Sequence, residues 1–271
     1  MRLSEVYAVL DAVAPKALSD EYCAKYGAYD NSGVLVDTGA EISKILFSLD
    51  LTRGALEAAK ANGVNLIVTH HPVIYGGLSH LTQEAPMEKL LLSCIKARIS
   101  VVSMHLNLDV VSGGIDESLS MAVKQAAEEA GKDKTPKKAA KLMHPLSTGG
   151  YGRAYDVAKC TLHELSTALQ KQLSCARVLV YGAKEQENRV VSCCGAGADE
   201  GTISFAASEG ADVLVTADVK HHLIVSALER GISLITPTHY ATENYGFKKY
   251  FEKISKAIDL PCVLHEDRQL L

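Results

Sequence analysis

The sequence predicts an α/β fold in two parts, built from βα units around a mostly parallel sheet. Three observations carry this. Short runs rich in β-branched residues alternate with helical patterns along the chain. A stretch of the first half returns in the second at a constant spacing. Between them lies a lysine-rich segment with almost nothing apolar to bury.

The elements follow in order. "ISKILFSLD" reads as a strand, "LTRGALEAAKANG" as a helix and "VNLIVTH" as the next strand. "MEKLLLSCIKA", "RISVVSMH" and "IDESLSMAVKQAAEEAG" repeat the rhythm. From Gly131 to Lys141, "GKDKTPKKAAK" holds five lysines and one proline, a composition that suits a solvated surface loop. No aromatic residue interleaves with its charge, which argues against a nucleic-acid patch. A boundary is placed there, giving a first α/β domain over 1–130 and a second over 131–236. The C-terminal segment 237–271 is expected to pack back toward the first domain. "GGYGRAYDVAK" opens the second half as a strand after a glycine-rich turn, followed by helix "TLHELSTALQKQL" and strands "ARVLVYG" and "RVVSCCG". Cys193 and Cys194 are expected inside that last strand.

Composition sets the outer bounds. With 271 residues, the chain can bury a sizeable core, and 47% hydrophobic with 22% charged residues is ordinary for a globular protein. A net charge of -4 argues against a nucleic-acid or anionic-membrane binder driven by bulk electrostatics. "RLSEVYAVLDAVAP" after Met1 lacks the apolar core of a signal peptide, and no run approaches the roughly 18 apolar residues of a membrane span. Seven scattered cysteines without C-x-x-C spacing argue against a disulfide framework and fit a reducing cytoplasm.

The repeat frames the chemistry. "TRGALEAAKANGVNLIVTH" matches "DEGTISFAASEGADVLVTA" at an offset of 147 residues, which carries Gly54 onto Gly201 and Val68-Thr69 onto Val215-Thr216. "KARISVVSMHLNLD" and "LERGISLITPTHYATE" continue it loosely, each strand ending in His-x-x-x-carboxylate, as His105…Asp109 and His239…Glu243. Strands of a parallel sheet share a direction, so their carboxyl ends lie along one edge. His70 and His71 of "VTHHPV", His105, Asp109, His239 and Glu243 all stand at or just past such ends. Among ten histidines some clustering is expected. His80, His144, His163 and His265 read as loop, surface or core residues. A lone His-His pair is more often incidental than ligating, but two further His-x-x-x-carboxylate segments at strand ends favour a metal site. Imidazoles and carboxylates suit Zn²⁺, Mn²⁺, Fe²⁺, Co²⁺ or Ni²⁺. Five or six such groups exceed the three protein ligands of a single catalytic zinc, and two ions bridged by a carboxylate account for the surplus.

Two neighbouring signals are more equivocal. In "TADVKHHLIVSALERG", Asp218 reads as the N-cap of a helix starting at Val219. His222 would then lie in its first turn, either facing the strand-end edge as an acid, base or substrate contact, or on the surface. "CGAGADEG" is a glycine-rich strand-to-helix turn whose amides can hold an anion, although Gly195, Gly197 and Gly201 miss the dinucleotide spacing by one residue. A tight turn alone needs the same glycines.

Taken in order, "YDNSGVLV", "LIVTHHPVIYGG", "MHLNLDVVSGGIDESL", "GYGR", "CGAGAD", "ADVLVTADVKHH" and "THYATENYG" resemble the GTP cyclohydrolase I type 2 family, the Ngg-interacting-factor-three-like dinuclear metal proteins. The resemblance runs from about Leu3 to Phe251. It implies two similar α/β domains, two divalent transition-metal ions in the inter-domain cleft and a homohexamer. By motif the family's ligands fall on His70, His71, Asp109, His239 and Glu243, with His105 beside them as a ligand or behind one. Tyr29 stands where the family usually carries tryptophan, and Ala217 replaces a glycine; neither is a ligand position. The long domain inserted in some members is missing.

Two classes of function remain. One is a metal-dependent hydrolase acting on a nucleotide-like or other small polar substrate, with His105 and His222 as its proton-transfer groups. The other is a non-catalytic metal carrier, sensor or scaffold working through protein partners.

Overall fold

The structure is a computed structural model that describes residues 1–131, 138–183, 187–267 and 269–270. The lysines expected in a surface loop fall mostly at 132–137, outside the described residues. The elements run α1 (Leu3–Val13), α2 (Lys16–Tyr26), β1 (Gly33–Val36), β2 (Ile45–Ser48), α3 (Arg53–Ala61), β3 (Leu66–Thr69), α4 (Pro86–Lys96), β4 (Ser100–Ser103) and α5 (Leu106–Val110). Next come α6 (Ile115–Ala130), β5 (Lys141–Pro145), β6 (Gly150–Cys160), α7 (Leu162–Gln172), β7 (Leu179–Tyr181) and β8 (Glu187–Ser192). The chain ends with α8 (Glu200–Ser208), β9 (Val213–Val215), α9 (His221–Glu229), β10 (Ser233–Thr236), α10 (His239–Ala257) and β11 (Cys262–His265).

Two compact units result, one of Met1–Val111 with Phe247–Arg268, the other of Ser112–Gly246 with Gln269–Leu271. The first holds a five-stranded sheet in the order β1-β4-β3-β2-β11. Strands β4, β3, β2 and β11 are parallel, and β1 runs antiparallel to β4. Every residue of β2, β3 and β4 is buried, as expected where both faces of a parallel sheet are covered. Phe47 of β2 is fully buried, its ring 6.4 Å from Phe247, 6.2 Å from Tyr250 and 5.4 Å from Phe251. This aromatic cluster fastens the middle turns of α10 to the first unit's sheet.

The second unit holds a six-stranded sheet, β5-β6-β8-β9-β10-β7. Only β8, β9 and β10 are parallel to one another; β5, β6 and β7 enter through antiparallel pairings. Here the sheet departs from the mostly parallel one expected. The cause is local: Leu146 closes a short turn onto Gly149, which folds β5 back on the long β6 as a hairpin.

The internal repeat is visible in the elements. Helices α3 and α8 start alike, Thr52 accepting the Ala55 amide and Asp199 the Thr202 amide, and these positions are 147 residues apart. Each cap satisfies an amide that the helix cannot. The triplets β2-β3-β4 and β8-β9-β10 are both parallel, and each is flanked by an antiparallel strand, β1 or β7. Gly63 and Gly210, also 147 apart, follow α3 and α8 with φ of +64° and +66°, the left-handed turn that ends each helix.

Three local expectations change. Cys193 and Cys194 lie just beyond β8, buried in the turn rather than in the strand. Burial pushes the Cys193 thiol up to about 12, which makes it unreactive at neutral pH. Helix α9 starts at His221 behind Lys220, so Asp218 does not cap it. Asp218 instead adopts a φ of +52°, a conformation that aspartate tolerates better than most residues. Among the described residues no helix is long and apolar enough to cross a membrane.

Candidate metal centre

In the first unit, four of the candidate residues gather past the carboxyl ends of β3 and β4. His70 and His71 follow β3 directly, both backbone amides donating to the Leu49 carbonyl at 3.0 Å. His105 follows β4 and precedes α5, which carries Asp109. One ring nitrogen from each of His70, His71 and His105 lies within 4.8 Å of the others. The His70 Nε2 to Asp109 Oδ1 distance is 3.5 Å, with His70 fully buried and Asp109 nearly so.

Each imidazole is held from behind by its other nitrogen. His70 Nδ1 is 2.8 Å from the Met104 carbonyl, His71 Nδ1 is 2.7 Å from Asp50 Oδ1, and His105 Nδ1 is 2.7 Å from Asp30 Oδ1. A carbonyl oxygen only accepts, so His70 Nδ1 donates and, in the neutral ring, Nε2 carries the lone pair. Carboxylate oxygens of Asp50 and Asp30 take the Nδ1 side of His71 and His105 in the same way and favour the same tautomer. Metal-binding histidines are oriented in this way.

Asp30 is the most heavily braced of these partners. It also accepts from the Ser19 and Ser32 hydroxyls and the Ser32 amide. Burial raises its pKa, but hydrogen bonds from His105, Ser19 and Ser32 outweigh burial and hold the carboxyl well below the usual range. It therefore stays ionised and keeps its grip on His105.

The second unit carries the other His-x-x-x-carboxylate pair at the start of α10. His239 Nδ1 is 2.6 Å from Asp218 Oδ2, and its Nε2 is 3.0 Å from Glu243 Oε1 one turn along the helix. With Nδ1 donating to Asp218, Nε2 of the neutral ring faces a carboxylate oxygen, acceptor to acceptor. Such a contact requires a proton or a cation between the two atoms. Gly195, with φ of +58°, packs against the pair: a Cβ there would collide with Glu243 Oε1 and come within 3.2 Å of His239 Nε2. Its amide donates to Thr242 Oγ1 at 3.1 Å. The glycine-rich turn thus allows close packing against the pair, and Asp199 takes the Thr202 amide at its end. Beside His239 opens a recess of about 270 Å³ bordered by Arg177, Tyr181, Asp218, Ile224 and Pro237.

His222 stands exposed in the first turn of α9 and joins none of these ligand-type groups. His80 is exposed and near Glu88, 3.4 Å away, as a loop residue would be. Neither spacing nor motif points to the orienting carboxylates Asp30 and Asp50, or to His239 as the partner of Asp218. Asp50 stands just past β2 on the same edge rule that found His70. Asp30 precedes β1, and only the antiparallel direction of β1 brings it to that edge.

Fold and site together define an α/β protein of two βα-built sheets with histidine and carboxylate clusters that could hold metal ions. The chain belongs to the Duf34/NIF3 (NGG1p interacting factor 3) family, whose profile matches residues 1–267. A relative called GTP cyclohydrolase 1 type 2 homolog, from Clostridium perfringens (strain 13 / Type A), is 27% identical over 262 residues, spanning 96% of this chain and 93% of that one. The Protein NIF3 homolog of Schizosaccharomyces pombe is 30% identical over 227 residues, 80% of this chain and 78% of that one. A crystal structure of a Bacillus cereus protein related to NIF3 shares the fold, with a TM-score of 0.77 at 18% identity over 99% of this chain and 97% of that one.

Proposed function

We propose that this protein is a dinuclear metal-dependent hydrolase acting on a nucleotide-like or other small polar substrate. His70, His71, Asp109, His239 and Glu243 would hold two divalent transition-metal ions, with Zn²⁺, Fe²⁺, Mn²⁺, Co²⁺ and Ni²⁺ all compatible with imidazole and carboxylate donors. The observation that carries this reading is the orientation of His70, His71 and His105, each held at Nδ1 with ring nitrogens within 4.8 Å of one another. Three imidazoles braced in this way are prepared for a cation and would gain little by facing each other without one.

Bound divalent ions supply an activated water near neutral pH and offset negative charge developing on the substrate. The chain's own residues do the rest. Asp30, Asp50 and Asp218 fix the imidazoles, and His105 moves a proton at Nε2 if it is not itself a ligand. His222 is the second proton-transfer candidate, and its exposure requires substrate to reach it. The cyclohydrolase name of the relatives fits one such reaction, opening a purine ring at the carbon between two nitrogens. We further propose a cytoplasmic homohexamer, which light scattering at micromolar concentration checks.

The decisive assay screens the metal-loaded protein against a pooled set of nucleotides and other small polar metabolites. Turnover that disappears on chelation and returns with metal supports a hydrolase. Metal binding without any turnover, and without loss of substrate from the pool, favours a carrier or sensor instead. His222→Gln should lower turnover by roughly 10²–10⁴-fold without loss of metal if it moves a proton.

A further inference from the structure

Two of the chain's tyrosines are unlike the others. Among the described residues, Tyr29 and Tyr75 are the exposed aromatic rings, 56% and 54% accessible. They are not scattered: the two rings meet edge to face, 5.4 Å between centroids at 84°. The Tyr75 hydroxyl donates to the Tyr29 carbonyl at 3.2 Å, and the Tyr75 ring stands 6.3 Å from the His105 imidazole at 89°.

The residues between them tie this pair to the histidine cluster. Tyr29 is followed by Asp30, which holds His105 Nδ1, and then by Asn31, whose Nδ2 donates to the Ile74 carbonyl at 2.6 Å. Ile74 immediately precedes Tyr75. Three consecutive side chains thus contribute an exposed ring, fix an imidazole and anchor the second ring's backbone. Two exposed tyrosines locked to each other and to a site cost apolar surface in water, and a flat ring stacked on the face of one, with its edge against the other, would recover it. Every nucleobase has such a face, and stacking tolerates differences among bases.

We propose that Tyr29 and Tyr75 form a stacking platform that seats the planar heteroaromatic ring of the substrate beside His105. This deepens the hydrolase reading and rests on it for the reaction. The platform itself acts in binding, as a specificity-determining surface for ring-bearing substrates over non-aromatic sugar phosphates. Tyrosine at position 29 supplies one of its two faces.

The test uses the full chain, with and without bound metal, and titrates adenosine, guanosine and ribose 5-phosphate by calorimetry. Wild type is expected to bind the nucleosides, and Tyr75→Ala to weaken them by roughly 5- to 150-fold, the usual loss for one stacked base. Tyr29→Ala should weaken them too, while Tyr75→Phe and Tyr29→Trp, which keep a π-face, should retain binding. Ribose 5-phosphate affinity should not respond to any of these changes. Metal content and oligomer size, measured on every variant, should match wild type. Nucleoside affinities unchanged in both alanine variants overturn the proposal. So does a wild type that binds metal but no nucleoside, an outcome that leaves the hydrolase reading standing. Tyrosine-dependent nucleoside binding by a protein that takes up no metal would sink the hydrolase reading and keep the platform. A smaller oligomer in Tyr75→Ala with unchanged nucleoside affinity assigns the rings to a contact between copies and refutes the proposal.

Discussion

Gly195→Ala should empty part of the candidate centre without touching a ligand. Gly195 has φ of +58°, and a Cβ placed there would strike Glu243 Oε1 and lie 3.2 Å from His239 Nε2. Two effects are expected. The left-handed backbone costs an alanine roughly 1–2 kcal/mol, which moves a urea midpoint by about 0.5 M for a slope near the upper end of the usual range. The displaced Glu243 carboxylate loses its alignment with His239, so metal affinity should fall by more than about 10-fold, the lower bound seen when even an orienting partner is lost. Gly63→Ala separates the two effects. Gly63 has φ of +64° with nothing within 4 Å of its Cβ position, so it carries the same backbone cost and no collision. Urea unfolding and elemental analysis of both variants read the outcome. Destabilisation of Gly195→Ala at least as large as that of Gly63→Ala, with metal lost only from Gly195→Ala, is the expected result. Full metal content in Gly195→Ala would refute the placing of Glu243 and His239 in a metal centre.

Other consequences follow from the same contacts. Asp50→Asn and Asp218→Asn remove the carboxylates that hold His71 and His239, and each should weaken metal binding by roughly 10–100-fold in a competition titration, with unfolding nearly unchanged. Phe47→Ala deletes the fully buried ring among Phe247, Tyr250 and Phe251, and should cost about 3–5 kcal/mol in urea unfolding; a loss below about 1 kcal/mol would contradict the packing. Glu209 is held below the ordinary glutamate range first by Lys141 at 2.5 Å; burial opposes this as the next effect, and Arg189 at 3.1 Å adds to the lowering. Its folded pKa is depressed, so its contribution is complete above about 4.3 and is lost as pH falls through the folded value. Urea midpoints between about pH 3 and pH 7 should therefore fall less steeply with acidity in Glu209→Gln than in wild type.

Much of the fold is legible in the sequence because burial and periodicity agree. The runs "KILFSLD", "VNLIVTH" and "RISVVSMH" are short, apolar and β-branched, and they become fully buried parallel strands. The repeat is legible because equivalent helices need equivalent caps and glycine turns, seen at Thr52 and Asp199 and at Gly63 and Gly210. Antiparallel strands are harder to read. "KLMHP" alternates poorly, and it pairs because a turn brings it back on β6, not because its own residues demand it. The residues behind the histidines stayed hidden for a related reason. Asp30 reaches the site only through the direction of β1, which no local pattern encodes. Asp218 looks like a helix cap from its neighbours in sequence, whereas its partner, His239, is 21 residues away. Exposure is equally non-local: His222 sits where the helix pattern puts it, yet the solvent side of that turn could not be read from spacing.

The measurement that tests the central claim most directly is metal stoichiometry after mild purification and reloading, compared across wild type, His70→Ala and His239→Ala. The account predicts about two divalent ions per chain in wild type. It predicts fewer in each variant, with circular dichroism unchanged, because these side chains stand past strand ends rather than in strand interiors. One ion or none in saturated wild type, or full occupancy in either folded variant, would contradict it.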